Sequence, residues 1–257
     1  MGNGYIVCFA DEGKKNPVTL GPVVQYCTGM TRPDARRAVL KGHGLVADGL
    51  SQNQANGLVN ALRDQGAEAF VVTEATVPRI GDVVRLHRVA LAPEGLQMTV
   101  SMRERPIGVP WTALVAAVAT QPELKQQSSG SHTYKDAVFV PGGGMVTVTK
   151  RESRRPQRRE GPTATIALKN ARGEVRAFEF NQQSADYGFL GGHMAPTQAA
   201  NFGRFLQELA RRAPHAYFTS GYLALAGGNR RDVSRVSGRA ERLDYLRWAL
   251  CCAARDE

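Results

Sequence analysis

Two hydrophobic periods divide the chain. Up to residue 72 the apolar positions recur at helical spacing between two short apolar runs, and beyond residue 83 they alternate. The run Tyr5 to Ala10 predicts a strand. Leu20, Val23, Val24 and Cys27 lie on one side of a helix stopped by Thr28-Gly29, and a second helix is expected from Arg32 to Leu40. Ser51 caps a third, in which Ala55, Leu58, Val59 and Leu62 follow the i, i+3, i+4, i+7 spacing of a buried face, and Gly66 ends it before a strand from Ala67 to Val72. The expected unit, residues 1–76, is a small βααβαβ sandwich. None of its side chains forms a reactive group.

The segment EATVPRIGD, with Pro78 and Gly81, marks the change of period, and a linker is placed at 77–82. Strands are expected over Val83 to Leu91, Leu96 to Met102, Leu114 to Ala119, His132 to Val140, Met145 to Thr149, Thr163 to Lys169 and Glu174 to Phe180. Pro196-Thr197 then opens a helix with Ala199, Phe202, Leu206 and Leu209 on one stripe and Arg211-Arg212 at its C-terminal end. Antiparallel strands followed by one amphipathic helix resemble a pleckstrin-homology-like barrel over residues 83–213, in which the helix closes one end and the closed sheet removes its edges. The tail, 214–257, ends in a helix from about Ser237, with Leu243, Leu246 and Leu250 as its stripe, widened by Tyr245, Trp248 and Ala249. It is expected to dock on one of the two domains. The fold class read from the pattern is α+β.

Within the first unit, Cys27-Thr28-Gly29-Met30, Asp34-Ala35-Arg36 and Asp48-Gly49-Leu50-Ser51 resemble the A-T-G-L, E-A-K and E-G-V-S stretches of the C-terminal domain of the bacterial ribosomal stalk protein. More distantly the segment is similar to the ClpS adaptor, which shares that fold. The resemblance implies an interaction module with a protein-binding helical face, for which Val24, Gln25 and Arg36 are the candidate contacts. The chain departs from the family where Lys, Ile, Lys and Arg would stand, having Pro17, Gly21, Pro22 and Gln25 instead, so the ribosomal role is not carried over.

Charge adds a second theme. The 257 residues carry a net +10, and basic and acidic residues balance up to Pro78, so the whole excess lies beyond it. Its densest stretch is Lys150, Arg151, Arg154, Arg155, Arg158 and Arg159, expected as a loop between strands because like charges repel and Pro156 prevents regular pairing. This loop reads equally as a contact for phosphates, of a nucleic acid or of anionic lipid head groups, and as a solvated loop. Arg230, Arg231, Arg235, Arg239 and Arg242, on the approach to and outer face of the last helix, would extend such a patch.

Candidate chemistry is sparse. Four cysteines form no framework, with Cys8 and Cys27 at core positions and one of Cys251-Cys252 expected at the surface. His43, between glycines, reads as a solvated loop histidine. Asp186, Tyr187 and His193 flank a glycine-rich turn without a nucleophile motif, and no GxSxG, HExxH or phosphate-loop pattern occurs. Neither a leader nor an apolar run of membrane-spanning length is seen, and mean hydropathy is -0.30. The sequence therefore predicts a cytoplasmic, non-enzymatic protein without cofactor or metal, whose partner is an unidentified protein. A nucleic-acid- or ribosome-associated basic protein and an anionic-membrane-associated protein are the alternatives, and oligomeric state is left open.

Overall fold

The computed structural model describes residues 4–13, 15–122, 133–140, 144–151 and 161–255, with side chains outside 133–151. The protein is mixed α/β with several sheets. In the first unit β1 (Tyr5–Phe9), α1 (Pro17–Thr28), α2 (Arg32–Lys41), β2 (Leu45–Leu50), α3 (Gln52–Asp64) and β3 (Ala69–Thr73) follow the expected order. The sheet runs β2-β1-β3, with both neighbours antiparallel to β1.

Local chemistry fixes these elements. Asn16 accepts from Val18 N at 2.9 Å to start α1, and Gly29, at φ +74°, ends it by donating to the Gln25 carbonyl. Thr31 caps α2, and Ser51 and Gln54 close a reciprocal capping box at α3. The three helices cover one sheet face, where Val7 and Phe9 meet Leu20, Val24, Leu58 and Leu62. Ile6 and Cys8 point to the opposite face and are also fully buried. A strand apolar at consecutive positions is a strand covered on both sides.

The cover on that second face comes from the far end of the chain. β4 (Val83–Arg85), β5 (Arg88–Leu91), β6 (Gly95–Thr99), β7 (Ile107–Pro110), β8 (Leu114–Pro122), β9 (Thr133–Val140), β10 (Gly144–Arg151), β11 (Thr163–Lys169) and β12 (Val175–Asn181) precede α4 (Gln198–Arg212). β13 (Tyr217–Phe218), α5 (Ser220–Ala226), β14 (Ser234–Val236) and α6 (Arg239–Arg255) complete the fold. The second main sheet is ordered β13-β8-β11-β12-β4, with β14 also on β8. On one face of it Ala117, Ala119, Ala164 and Ile166 pack with Phe202, Phe205, Leu206 and Tyr222 of α4 and α5. On the other, Ala116, Val118, Ala167 and Ala177 pack against α6, and the same helix meets Ile6, Cys8, Phe70 and Val72 of the first sheet. Alanines along β8 and β11 keep both faces shallow enough for helices to seat closely.

α6 is thus a layer shared by two sheets. The tail does not dock on one domain alone, and the segment 77–82 separates two patterns in sequence but not two bodies in space. The chain up to Pro122 and from Gly161 onward forms one compact unit. Residues 123–160 are a second unit, whose described part is the antiparallel hairpin β9–β10, in register from Gly144 opposite Val140 to Arg151 opposite Thr133.

Among the described residues none of the sheets closes into a barrel. The single strand expected over Val83 to Leu91 breaks at Leu86-His87. β4 pairs parallel with β12, whereas β5 joins the separate meander β5-β6-β7. Leu86 is 1% exposed and donates its N–H to the Glu179 carbonyl, so burial of this one side chain fixes the point where the chain changes sheets. β13 and β14 return to β8 in parallel, another pairing that a simple hairpin meander lacks.

Candidate binding cleft

The residues singled out in the sequence are not gathered into one site. Val24 is 0% exposed in the core beneath α1, so it offers no contact surface; its i+4 spacing from Leu20 already places it on the buried face. Gln25 is exposed and Arg36 half-buried. The Arg36 Nε is buried without a hydrogen-bond partner, and Gly21 lies so close that a Cβ there would stand 2.9 Å from Arg36 Cγ. Lys150 and Arg151 end β10, whereas Arg154, Arg155, Arg158 and Arg159 lie outside the described residues. Arg239 is held by Asp82 at 3.2 Å and by the Val83 carbonyl, and Arg242 lies 3.4 Å from Glu179.

The Asp186 turn is a structural joint. Its carboxylate accepts from Gly188 N at 2.9 Å and is paired with Arg88, and these two contacts hold it below the usual carboxylate range. Tyr187 donates to the Gln182 carbonyl at 2.6 Å. His193 is exposed, and no hydrogen bond or ion pair joins it to Asp186. Cys251 and Cys252 are both buried, as α6 has an apolar neighbour on each side, and no cysteine is in a disulfide. Contact with Cys251, followed by burial, pushes the Cys8 thiol well above the usual thiol range, which makes it inert. No group of three or more metal-ligating side chains is found among the described residues.

A wide concavity lies elsewhere, at the end of β1, where the chain's first and last elements meet. Trp248 of α6 donates its indole N–H to the Phe9 carbonyl at 2.9 Å. The turn after α2 is shaped around that ring. Gly44, at φ +103°, would place a Cβ 2.3 Å from the indole nitrogen, so only glycine fits. Past β1, Asp11 pairs with Lys15 at 2.8 Å, and Glu12 turns inward. The Glu12 carboxylate accepts from the Ser220 and Gly221 N–H groups, which open α5, and from the Tyr245 hydroxyl. Burial, reinforced by Glu12, raises the Tyr245 phenol far above the usual range, so it serves as a fixed donor. Thr219 caps α5 by accepting from Tyr222 N at 3.2 Å.

His43 borders this junction at the unusual φ of +47°. Its side chain is 13% exposed and its Nε2 lies 4.0 Å from Glu241, with no hydrogen-bond partner. It is therefore not the solvated histidine that its glycine neighbours predict. Burial pushes its pKa down, against the opposing pull of Glu241 and Asp244.

These elements bound an open cleft of about 1230 Å³. Leu40 of α2 and Leu223 of α5 line it and are 61% and 52% exposed. Arg231 and Arg235 line it as well, are exposed, and have no carboxylate partner among the described residues. Leu40 also borders a shallower groove along α2 that carries Arg32, Arg36 and Arg37. The sequence placed Arg231 and Arg235 on the approach to α6 but gave no sign of Leu223. α5 has only seven residues and its neighbouring strands two and three, too short for a period to register. The cap Thr219 was the one local signal.

Such a cleft can hold and orient a ligand through apolar contact and through its charged side chains. Among the described residues no helix is long and apolar enough to cross a membrane. No protein-family model matches the chain, and no curated protein or solved structure does so either.

Proposed function

We propose that the protein acts by binding another protein, as a non-enzymatic adaptor or scaffold, through the cleft between α2, α5 and β14. The observation that carries this reading is the pairing of two exposed leucines with two arginines that have no carboxylate partner among the described residues, in one concavity. Exposed apolar side chains that converge on a polar-rimmed hollow are the composition of a recognition surface. The order of elements in residues 18–72, which resembles an interaction module of the ribosomal stalk type, supports the same reading.

The test is site-specific photo-crosslinking in the native lysate from position 223, with position 172, on the turn between β11 and β12, as the control. A discrete protein adduct from 223 that survives nuclease and is lost on Leu40→Glu is expected. Turnover of a substrate by the purified chain, abolished by cleft substitutions, would overturn the reading.

A second reading is contact with nucleic acid through the arginine-rich loop, supported by the net charge of +10. It predicts binding that weakens steeply with salt and is lost when Arg154, Arg155, Arg158 and Arg159 become Ser, and adducts that disappear with nuclease.

A further inference from the structure

We infer that the occupant of the cleft is an acidic peptide segment carrying a leucine-like anchor, contributed by a partner protein. This rests on the protein-binding reading and adds the chemistry of the partner. The concavity, about 1230 Å³ and open, exceeds the roughly 300–1000 Å³ of an ordinary small-molecule site. Exposed apolar side chains line it from two elements, Leu40 on α2 and Leu223 on α5, so a side chain inserted there buries apolar surface. Such burial yields about 25 cal/mol for each Å² removed from water, which is the term that anchors a peptide.

Charge selects the rest of the segment. Arg231 and Arg235 lie on the cleft wall, and Arg32, Arg36 and Arg37 continue the positive surface past Leu40 along α2. None of the five has a carboxylate within ion-pair distance among the described residues. Of the carboxylates nearby, Asp11 is paired with Lys15 and Glu12 is turned in to the α5 backbone and Tyr245, while Asp232 accepts only from the neutral Asn229 amide and keeps its charge. The five arginines outnumber this one carboxylate, and a segment with aspartate or glutamate flanking its anchor complements them.

A nucleic acid suits the cleft less well. Asp232 stands on its lining with its charge uncompensated, where a continuous phosphate chain would meet it.

The experiment is selection from a degenerate display library of short peptides on the full chain, followed by anisotropy titration of the enriched peptides. Expected are sequences with Asp or Glu flanking Leu, Ile or Met, binding at least about fivefold more weakly to Arg231→Ser/Arg235→Ser and to Leu40→Glu/Leu223→Glu. All four positions are exposed, so the variants keep the fold, which circular dichroism verifies. Enrichment of basic or uncharged sequences, absence of any enrichment over the Leu40→Glu/Leu223→Glu chain, or displacement of the peptides by single-stranded DNA at equal concentration each overturns the inference. A nuclease-resistant protein adduct from position 223 together with any of these results would leave the adaptor reading standing and remove only the acidic occupant.

Discussion

The Trp248 indole N–H and the Phe9 carbonyl, 239 positions apart in sequence, meet at 2.9 Å in a site where both residues are buried. This contact ties the last helix to the first strand, and the same helix forms the floor of the second sheet. Trp248→Phe leaves the carbonyl unpaired and is expected to cost about 1–3 kcal/mol. Trp248→Ala adds a cavity, bringing the loss to about 3–5 kcal/mol. Because α6 is shared, urea unfolding followed by far-UV circular dichroism should show one transition that moves as a whole. A variant in which the βααβαβ unit kept its midpoint while the rest melted early would show that α6 does not support both sheets.

Glu12 holds α5 in place from outside that helix. Its carboxylate takes the Ser220 and Gly221 N–H groups and the Tyr245 hydroxyl, so Glu12→Ala strands three donors at once. A loss of about 2–4 kcal/mol is expected, since a donor left unsatisfied costs more than the net worth of its bond. Amide hydrogen exchange at Ser220 and Gly221 should accelerate far more than at Leu58 in α3. Equal acceleration at both would mean that the loss is global and that Glu12 has no particular hold on α5.

The first unit was legible because its signals are local. Ser51 as a cap, and Gly29 and Gly66 at left-handed positions, each decide an element end within a few residues. The long-range arrangement was written less directly. Leu243, Leu246 and Leu250 suggest a one-sided helix, yet Tyr245, Trp248, Ala249, Cys251 and Cys252 add apolar positions on further faces, as in a helix with more than one apolar neighbour. Likewise, Ile6 and Cys8 beside Val7 and Phe9 imply a cover for the outer face of the first sheet without naming it. The break at Leu86-His87 escaped because a continuous apolar alternation does not say which sheet each half joins. The cleft escaped for the same reason, as Leu40, Leu223 and Arg231 come together only when α6 has brought the two ends of the chain side by side.

Glu208 sets an acid limit. Arg211 donates to it at 2.8 and 2.7 Å, and Arg212 at 2.7 Å while also anchoring to the Ala92 carbonyl. The Arg211 bonds first, and then Arg212, bring its carboxyl from the ordinary 4.5 to about 2. A folded-state value below the unfolded one contributes stability that is present above pH 4.5 and lost as pH falls towards 2. Arg211 is largely exposed, so solvent screening keeps the amount to about 1 kcal/mol or less. Glu208→Gln should therefore be slightly less stable than the parent at pH 7, with the two curves converging between pH 4.5 and 2 in denaturant titrations at each pH. A difference that stays constant across that window would assign the loss to packing.

His43 predicts a second, milder acid sensitivity. Its imidazole is packed against Tyr245, with ring centroids 5.2 Å apart, and faces Glu241, Asp244, Lys41 and Glu12. Burial is the largest influence and lowers its pKa below the ordinary 6.5 in the folded chain. Above pH 6.5 both states are neutral at this position and nothing changes with pH. As pH drops below 6.5 the unfolded chain takes up a proton that the folded chain resists, so stability falls until the folded-state value has been passed. His43→Asn removes the titration while tolerating the left-handed φ of +47°, which asparagine adopts more readily than most residues. The variant should lose less stability than the parent on going from pH 7 to pH 5, measured as the shift in melting temperature. If the parent and His43→Asn fall in parallel, Glu241 and Asp244 neutralise the incoming proton and the buried imidazole carries no net acid cost.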